Sequence, residues 1–332
     1  MLTAGASAGR PAAMVAVKRL LPQAAFDIVR AVSHGRGRSQ GAREELRRRA
    51  DQVRAAFPDL PFRRARLVDT GAENVVIVLD GRYVFRFPRP GRGGDLLDEI
   101  RLLKSIERGA GVRVPDYRFT EPSGALAGYP MVGGRELQPA LFRRLERRSQ
   151  EAIVAQIGDF LNLLHAQPAP ANRAALALRR QAQFSDCEFA QVYDFLQARI
   201  PSPLLASARR FFDAFGAPEP SPTKTVHSDL LPQHMLVDGA GRVGVIDFGD
   251  VGPGDPAWDF AVLGSYAPWV GPELLSRYRL AENDEGLLER AARQAVRFWF
   301  VRLVQRLSSR HRSESVAGIA AMLRAALERA GV

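Results

Sequence analysis

Between residues 75 and 88 the apolar positions recur with a period close to two, the mark of strands with a buried face. Val75-Val76-Ile77-Val78-Leu79 and Tyr83-Val84-Phe85-Arg86-Phe87-Pro88 flank Asp80-Gly81, which predicts a β-hairpin rich in β-branched and aromatic residues. The period then changes. Leu96-Leu97-Asp98-Glu99-Ile100-Arg101-Leu102-Leu103 repeats its apolar positions at three and four, predicting a helix. The same spacing predicts amphipathic helices over 153–165 and 43–54, the latter with Leu46, Ala50, Val53 and Phe57 on one face. A second hairpin is predicted from Met235-Leu236-Val237 and Val243-Gly244-Val245-Ile246 around the turn Asp238-Gly239-Ala240-Gly241. Arg290 to Arg302 reads as a basic, aromatic helix.

These elements predict an α+β chain. Residues 1–42 are expected to be a partly disordered appendage. A length of 332 residues is enough for two lobes with cores of their own. The single cysteine, Cys187, excludes an internal disulfide and a cysteine-based zinc site, and suits a reducing cytoplasm. No apolar run approaches the roughly 20 residues that span a bilayer. Met1 to Ala13 lacks a positive stretch ahead of an apolar core, so no signal peptide is expected, and Met14 is an alternative start.

The net charge of +11 invites a nucleic-acid reading. Residues 1–58 hold 11 Arg or Lys and 4 Asp or Glu, so 11 − 4 = +7 of the excess lies there, on a solvated helix face and ahead of it. A monomer with no nucleic-acid or membrane partner is therefore expected.

Candidate chemistry concentrates between 227 and 249. His227-Ser228-Asp229, His234 five positions after the Asp, and Asp247-Phe248-Gly249 beyond the second hairpin follow an order that phosphoryl transfer can use. Asp229 would accept or orient a hydroxyl proton. The hairpin would bring His234 and Asp247, two metal-ligand types, to one mouth. His227 would brace the loop.

The runs His227 to Asp238, Val245 to Asp250 and Gly254-Asp255-Pro256-Ala257-Trp258-Asp259-Phe260 resemble the aminoglycoside phosphotransferase family. The likeness covers about residues 65–305 and is strongest over 227–260. It implies a bilobal protein-kinase-like fold, with 43–130 a nucleotide-binding N-lobe of antiparallel sheet and helix behind a leading helix, and 131–332 a mainly helical C-lobe that holds the catalytic hairpins and binds the acceptor. Histidine at the second metal position resembles the aminoglycoside 2''-phosphotransferase and macrolide 2'-phosphotransferase branches. The resemblance further implies a Mg2+ ion at His234 and Asp247, Asp229 as catalytic base, and ATP or GTP as co-substrate. Arg86 falls where the family carries a phosphate-pairing Lys, and Glu99 matches its helix partner. Asp98 and Glu99 point about 100° apart, so only Glu99 is chosen to face the strand. Gly71 and Asn74 in the turn before the first hairpin, and Met131 and Val132 after Tyr129-Pro130, would contact the nucleotide. Asp255 and Asp259 look like bracing carboxylates, and His165 like a packed or capping residue.

The acceptor stays open between an aminoglycoside-like antibiotic, a macrolide, and a small metabolite of homoserine or choline type. Acidic candidates for holding a polycation are Asp186, Glu188 and Asp194, and Glu282, Asp284 and Glu285, but the helix with Trp299 and Phe300 is basic. Those two aromatics are expected in the core before a ligand pocket. Other classes remain possible on residues alone: a catalytically inactive kinase-fold binding protein, or a two-metal hydrolase.

Overall fold

The computed structural model describes residues 37–68, 74–89, 94–107, 109, 111–170, 186–215, 223–280, 284, 286–308 and 315–332. Contacts group them into two units, one from the described residues of 33–177 and 222–288, the other from those of 178–221 and 289–332. This cut follows contact density, whereas the division at 42 and 130 expected from sequence follows chemistry.

The first unit opens with a leading helix, α1 (Gly37–Ala56), which begins ahead of the 42/43 boundary. A five-stranded antiparallel sheet follows: β1 (Ala65–Val68), β2 (Asn74–Leu79), β3 (Tyr83–Pro88), β4 (Phe119–Thr120) and β5 (Ala127–Pro130), in the order β1-β2-β3-β5-β4. Between β3 and β4 runs α2 (Gly94–Ile106). Asp80 and Gly81 both take left-handed backbone, φ 50° and 67°, which suits the twist of the β2–β3 hairpin.

Strand alternation decides what each face of this sheet does. Val75, Ile77, Leu79, Phe85 and Phe87 are buried with Val53 of α1, and Leu46, Phe57 and Phe62 pack onto the same cluster. Arg86 stands between Phe85 and Phe87, so its side chain leaves by the opposite face. A single strand thus supplies core on one side and a cation on the other. Gly128 lies opposite Phe85, where a Cβ would meet the ring at 2.5 Å, so β5 can approach β3 only with glycine there.

The same unit continues through β6 (Arg135–Glu136), the short α3 (Pro139–Phe142) and the long α4 (Arg147–His165), whose buried face is Ile153, Val154, Ile157, Phe160, Leu161 and Leu164. It closes with β7 (Lys224–Val226), β8 (Met235–Val237), β9 (Val243–Val245), β10 (Gly252–Gly254), α7 (Ala257–Ala261) and α8 (Val270–Arg277). β6, β8 and β9 form one small sheet, and β7 pairs with β10.

The second unit is helical in its described residues: α5 (Asp186–Gln197), α6 (Ser202–Ala214), most of α9 (Leu287–Ser308) and α10 (Val316–Arg329). Phe300 is fully buried, with Phe212 and Phe189 at ring centroid distances of 5.0 and 5.3 Å. Trp299 is also buried, so it and Phe300 serve the core as expected. Ser315 caps α10 by accepting the Gly318 N–H. No described helix is long and apolar enough to cross a membrane.

Candidate active site

The β8–β9 hairpin sets the first distance of the site. Its register pairs Met235 with Val245, and the Ile246 N–H donates to the His234 carbonyl at 2.9 Å. His234 therefore stands at the hairpin mouth beside Asp247. Its Nε2 lies 3.5 Å from Asp247 Oδ2. On the other side, His234 Nδ1 is 2.9 Å from the Asp229 carbonyl oxygen and 3.2 Å from Asp229 Oδ2. The carbonyl can only accept, so Nδ1 carries the proton toward it and Nε2 is the atom turned to Asp247. One potential ligand atom from each of Asp229, His234 and Asp247 lies within 4.8 Å of the others.

Burial alone would lower the pKa of His234. The hydrogen bond to Asp229 and the charges of Asp229 and Asp247 outweigh it and lift the pKa to about 9. Without a cation the imidazole is thus an imidazolium bridging two carboxylates.

Two residues here hold backbone that L side chains rarely adopt: Ser228 at φ 68° and Asp247 at φ 65°. Asp259 of α7 restrains the first. Its carboxylate accepts the Ser228 N–H on Oδ1 at 2.7 Å and the His227 N–H on Oδ2 at 2.7 Å, with His165 Nε2 at 3.0 Å. His165 is positioned in turn by Tyr278, whose hydroxyl lies 2.7 Å from Nδ1. Burial raises the pKa of Asp259, but the hydrogen bonds and charge of His165 and the contacts with His227 bring it below the ordinary carboxylate value. Asp255, the other expected brace, accepts the Ala257 N–H at 3.0 Å. His227 ties the loop to the hairpin: Nδ1 accepts the Asp229 N–H and Nε2 donates to the Ile246 carbonyl, both at 3.2 Å. Burial lowers the His227 pKa and keeps the ring neutral. Phe248 lies tilted against that ring, 4.7 Å between centroids, and meets Phe160 of α4 edge-on.

Across from the hairpin, Arg86 is buried on the sheet face away from the core and pairs with Glu99 of α2. Asp98 instead pairs with Arg101 on the helix surface, as the choice of Glu99 anticipated. Arg86 Nη2 lies 3.6 Å from Asp247 Oδ1, so strand, helix and hairpin meet at one place. Tyr117 completes the group, 3.1 Å from Arg86 Nη1 and 3.0 Å from Glu99 Oε1. No motif in the sequence marks Tyr117. It stands 31 residues from Arg86, and no local pattern links the two.

The connection after β5 packs onto the hairpin. The Met131 N–H donates to the Arg82 carbonyl at 2.8 Å, and its side chain is the exposed large apolar one among the described residues. Val132 lies against Gly244, where a Cβ would come within 2.6 Å of Val132 Cγ1. Arg113, also unnoticed in the sequence, donates from Nη2 to the carbonyls of Gly133 and Arg242 at 2.9 and 3.2 Å. Asn74 opens β2 opposite Pro88. Gly71, Glu282 and Glu285 lie outside the described residues, as do residues 1–36 of the expected appendage. Of the other acidic candidates, Asp194 is exposed on α5 and Asp284 is half-buried.

A sheet lobe with a buried Arg–Glu pair, facing a hairpin that gathers His and Asp beside a strained Asp loop, defines the class: a protein-kinase-like phosphotransferase fold. The profile of the phosphotransferase enzyme family matches residues 64–299. The chain belongs to that family and is a kinase whose acceptor atom is a hydroxyl oxygen. A homoserine kinase of Pseudomonas aeruginosa is 29% identical over 270 residues, 73% of this chain and 81% of that protein. An aminoglycoside 2''-phosphotransferase solved with GDP and kanamycin shares the fold, with TM-score 0.61, 20% identity and coverage of 86% and 98%. A macrolide 2'-phosphotransferase of Brachybacterium faecium gives TM-score 0.52, 22% identity and coverage of 86% and 97%.

Proposed function

We propose that this phosphotransferase moves the γ-phosphoryl group of ATP or GTP to the hydroxyl of a small molecule, with Asp229 as the catalytic base. The gathering of Asp229, His234 and Asp247 within 4.8 Å carries the reading. Asp229 sits where a hydroxyl can be turned in line with the nucleotide and its proton taken or oriented. Arg86, held by Glu99, pairs with phosphate oxygens. Asn74 and Gly71 contribute to the phosphate end, and Met131 and Val132 to the base end. Residues 43–130 then hold the nucleotide, and 131–332 supply the catalytic groups and bind the acceptor.

The donor set suits a divalent cation. The Asp247 carboxylate is a hard ligand, and Nε2 of His234 is aimed by its own Nδ1 contact with the Asp229 carbonyl. His234 and Asp247 would hold Mg2+, which when bound neutralises charge on the phosphates. We place the reaction in the cytoplasm, where nucleoside triphosphate is supplied, and the protein as a monomer.

For the acceptor, a homoserine-like small alcohol is the reading that the sequence relative at 29% identity supports. An aminoglycoside-like antibiotic, with a resistance role, is the second reading. It rests on a fold neighbour at 20% identity, an aminoglycoside 2''-phosphotransferase solved with kanamycin. Small alcohols, aminoglycosides and macrolides, each offered with ATP and with GTP, should give acceptor-dependent nucleotide consumption with one group. Asp229→Ala should lower that transfer by about 10³-fold or more while nucleotide still binds. Full turnover in this variant would remove Asp229 as base, and nucleotide consumption indifferent to every acceptor would favour a hydrolase.

A further inference from the structure

Arg86 occupies a place where a lysine would present a point charge, and a guanidinium brings a requirement that an ammonium does not. Its five N–H donors lie in one plane, so what it offers a phosphate depends on how that plane is turned. Here Nη1 is directed at Glu99 and at Tyr117 Oη, 3.1 Å away, while Nη2 is directed at Asp247 Oδ1, 3.6 Å away. Tyr117 Oη also lies 3.0 Å from Glu99 Oε1. The phenol therefore accepts from Arg86 and donates to Glu99, closing a three-membered ring of hydrogen bonds. Tyr117 is itself buried and fixed by the edge-on ring of Tyr129 at 4.9 Å. Glu99 alone would permit the guanidinium to pivot about their shared contact. A second fixed acceptor on the same Nη1 removes that freedom.

We infer that Tyr117 is a positioning residue for nucleotide binding: its hydroxyl sets the plane of the Arg86 guanidinium so that Nη2 faces the phosphate side of the cleft beside Asp247. This rests on the reading that Arg86 pairs with nucleotide phosphate. It makes Tyr117 and Arg86 a matched pair, in which the tyrosine hydroxyl matters only while the cation is an arginine. A tyrosine that merely filled space would act on stability in either background.

The test is a double-mutant cycle on the full chain, titrated with fluorescent ATP and GTP analogues in the presence of Mg2+. Tyr117→Phe keeps the ring against Tyr129 and removes only the hydroxyl. It should weaken nucleotide binding about tenfold, the scale of one hydrogen bond to a charged group. Arg86→Lys should weaken binding at least as much, and the double variant should bind no worse than Arg86→Lys alone. Melting temperatures of Arg86→Lys with and without Tyr117→Phe should agree within a few degrees. Wild-type affinity in Tyr117→Phe, or losses that simply add in the double variant, would overturn the inference while leaving Arg86 as a phosphate ligand. Wild-type affinity in Arg86→Lys would instead sink the phosphate role of Arg86, and this inference with it. Should Tyr117→Phe not fold, arginine side-chain NMR of the wild type decides: separate Nη resonances for Arg86 are expected, and one averaged signal refutes a fixed plane.

Discussion

Replacing Asp259 by asparagine separates a brace from a bystander, because the carboxylate is fully buried and meets donors on both oxygens. An amide can keep its oxygen toward His227 N–H and His165 Nε2, the side with two donors. Its NH2 then faces the Ser228 N–H, donor against donor. One charge-assisted hydrogen bond is lost, roughly 1.5–3 kcal/mol, and a buried N–H is left unpaired, roughly 1–3 kcal/mol, so Asp259→Asn should destabilise by about 3–5 kcal/mol. That is a large share of the ~5–15 kcal/mol that keeps a protein folded. Activity should fall further than stability alone accounts for. The left-handed backbone of Ser228 holds strain of order 1–3 kcal/mol, and the carboxylate restrains it. Once released, Ser228 carries the adjoining Asp229 with it, and a displacement on the order of 1 Å at a reacting group costs about 10²-fold in rate. Urea unfolding and nucleotide turnover, measured at a temperature where the variant stays folded, test both parts. A variant within about 1 kcal/mol of the parent and within about threefold in turnover would refute the brace.

Other consequences follow from single contacts. His234 titrates near pH 9 in the folded chain, above the ordinary 6.5, so the stability it contributes is fully present below about pH 6.5 and is lost as pH rises through 9. The gap corresponds to about 3 kcal/mol; metal-free unfolding at pH 6.5 and 9.5 should show it, and His234→Asn should flatten it. Coordination needs a neutral imidazole, so Mg2+ binding should release close to one proton at pH 7.5 and tighten up to about pH 9. Calorimetry in buffers of different ionisation enthalpy reads that proton, and a proton-neutral titration would remove His234 from the coordination sphere. Gly128→Ala places a Cβ 2.5 Å from the Phe85 ring and should cost about 1–3 kcal/mol in thermal or urea unfolding, with no loss if β5 can slide.

Much of the site was legible because its parts are local. The β8–β9 hairpin follows from two short apolar runs around a Gly-rich turn, and its register alone brings His234 to Asp247. Period-two alternation put Arg86 opposite Phe85 and Phe87, and helical geometry let only one of Asp98 and Glu99 face it, the family resemblance pointing to Glu99. What sequence periodicity cannot reach is distance without repeat. Tyr117 joins Arg86 and Glu99 from a connection with no regular structure, and Arg113 clamps Gly133 to the hairpin turn 129 residues away at Arg242.

The chain by itself thus determined the two central hairpins and the amphipathic helices beside them, the strand alternation that sets Arg86 off from the core, and the order of acids that phosphoryl transfer uses. Each of those rests on interactions within a few residues or on a backbone period. Only the tertiary structure decided that Asp259 reaches back to hold a strained Ser228, that His234 becomes an imidazolium between two carboxylates, and that a tyrosine sets the plane of Arg86. These depend on which buried polar groups meet, and that is fixed by packing of the whole unit: a buried donor or acceptor must find its partner wherever the fold brings one.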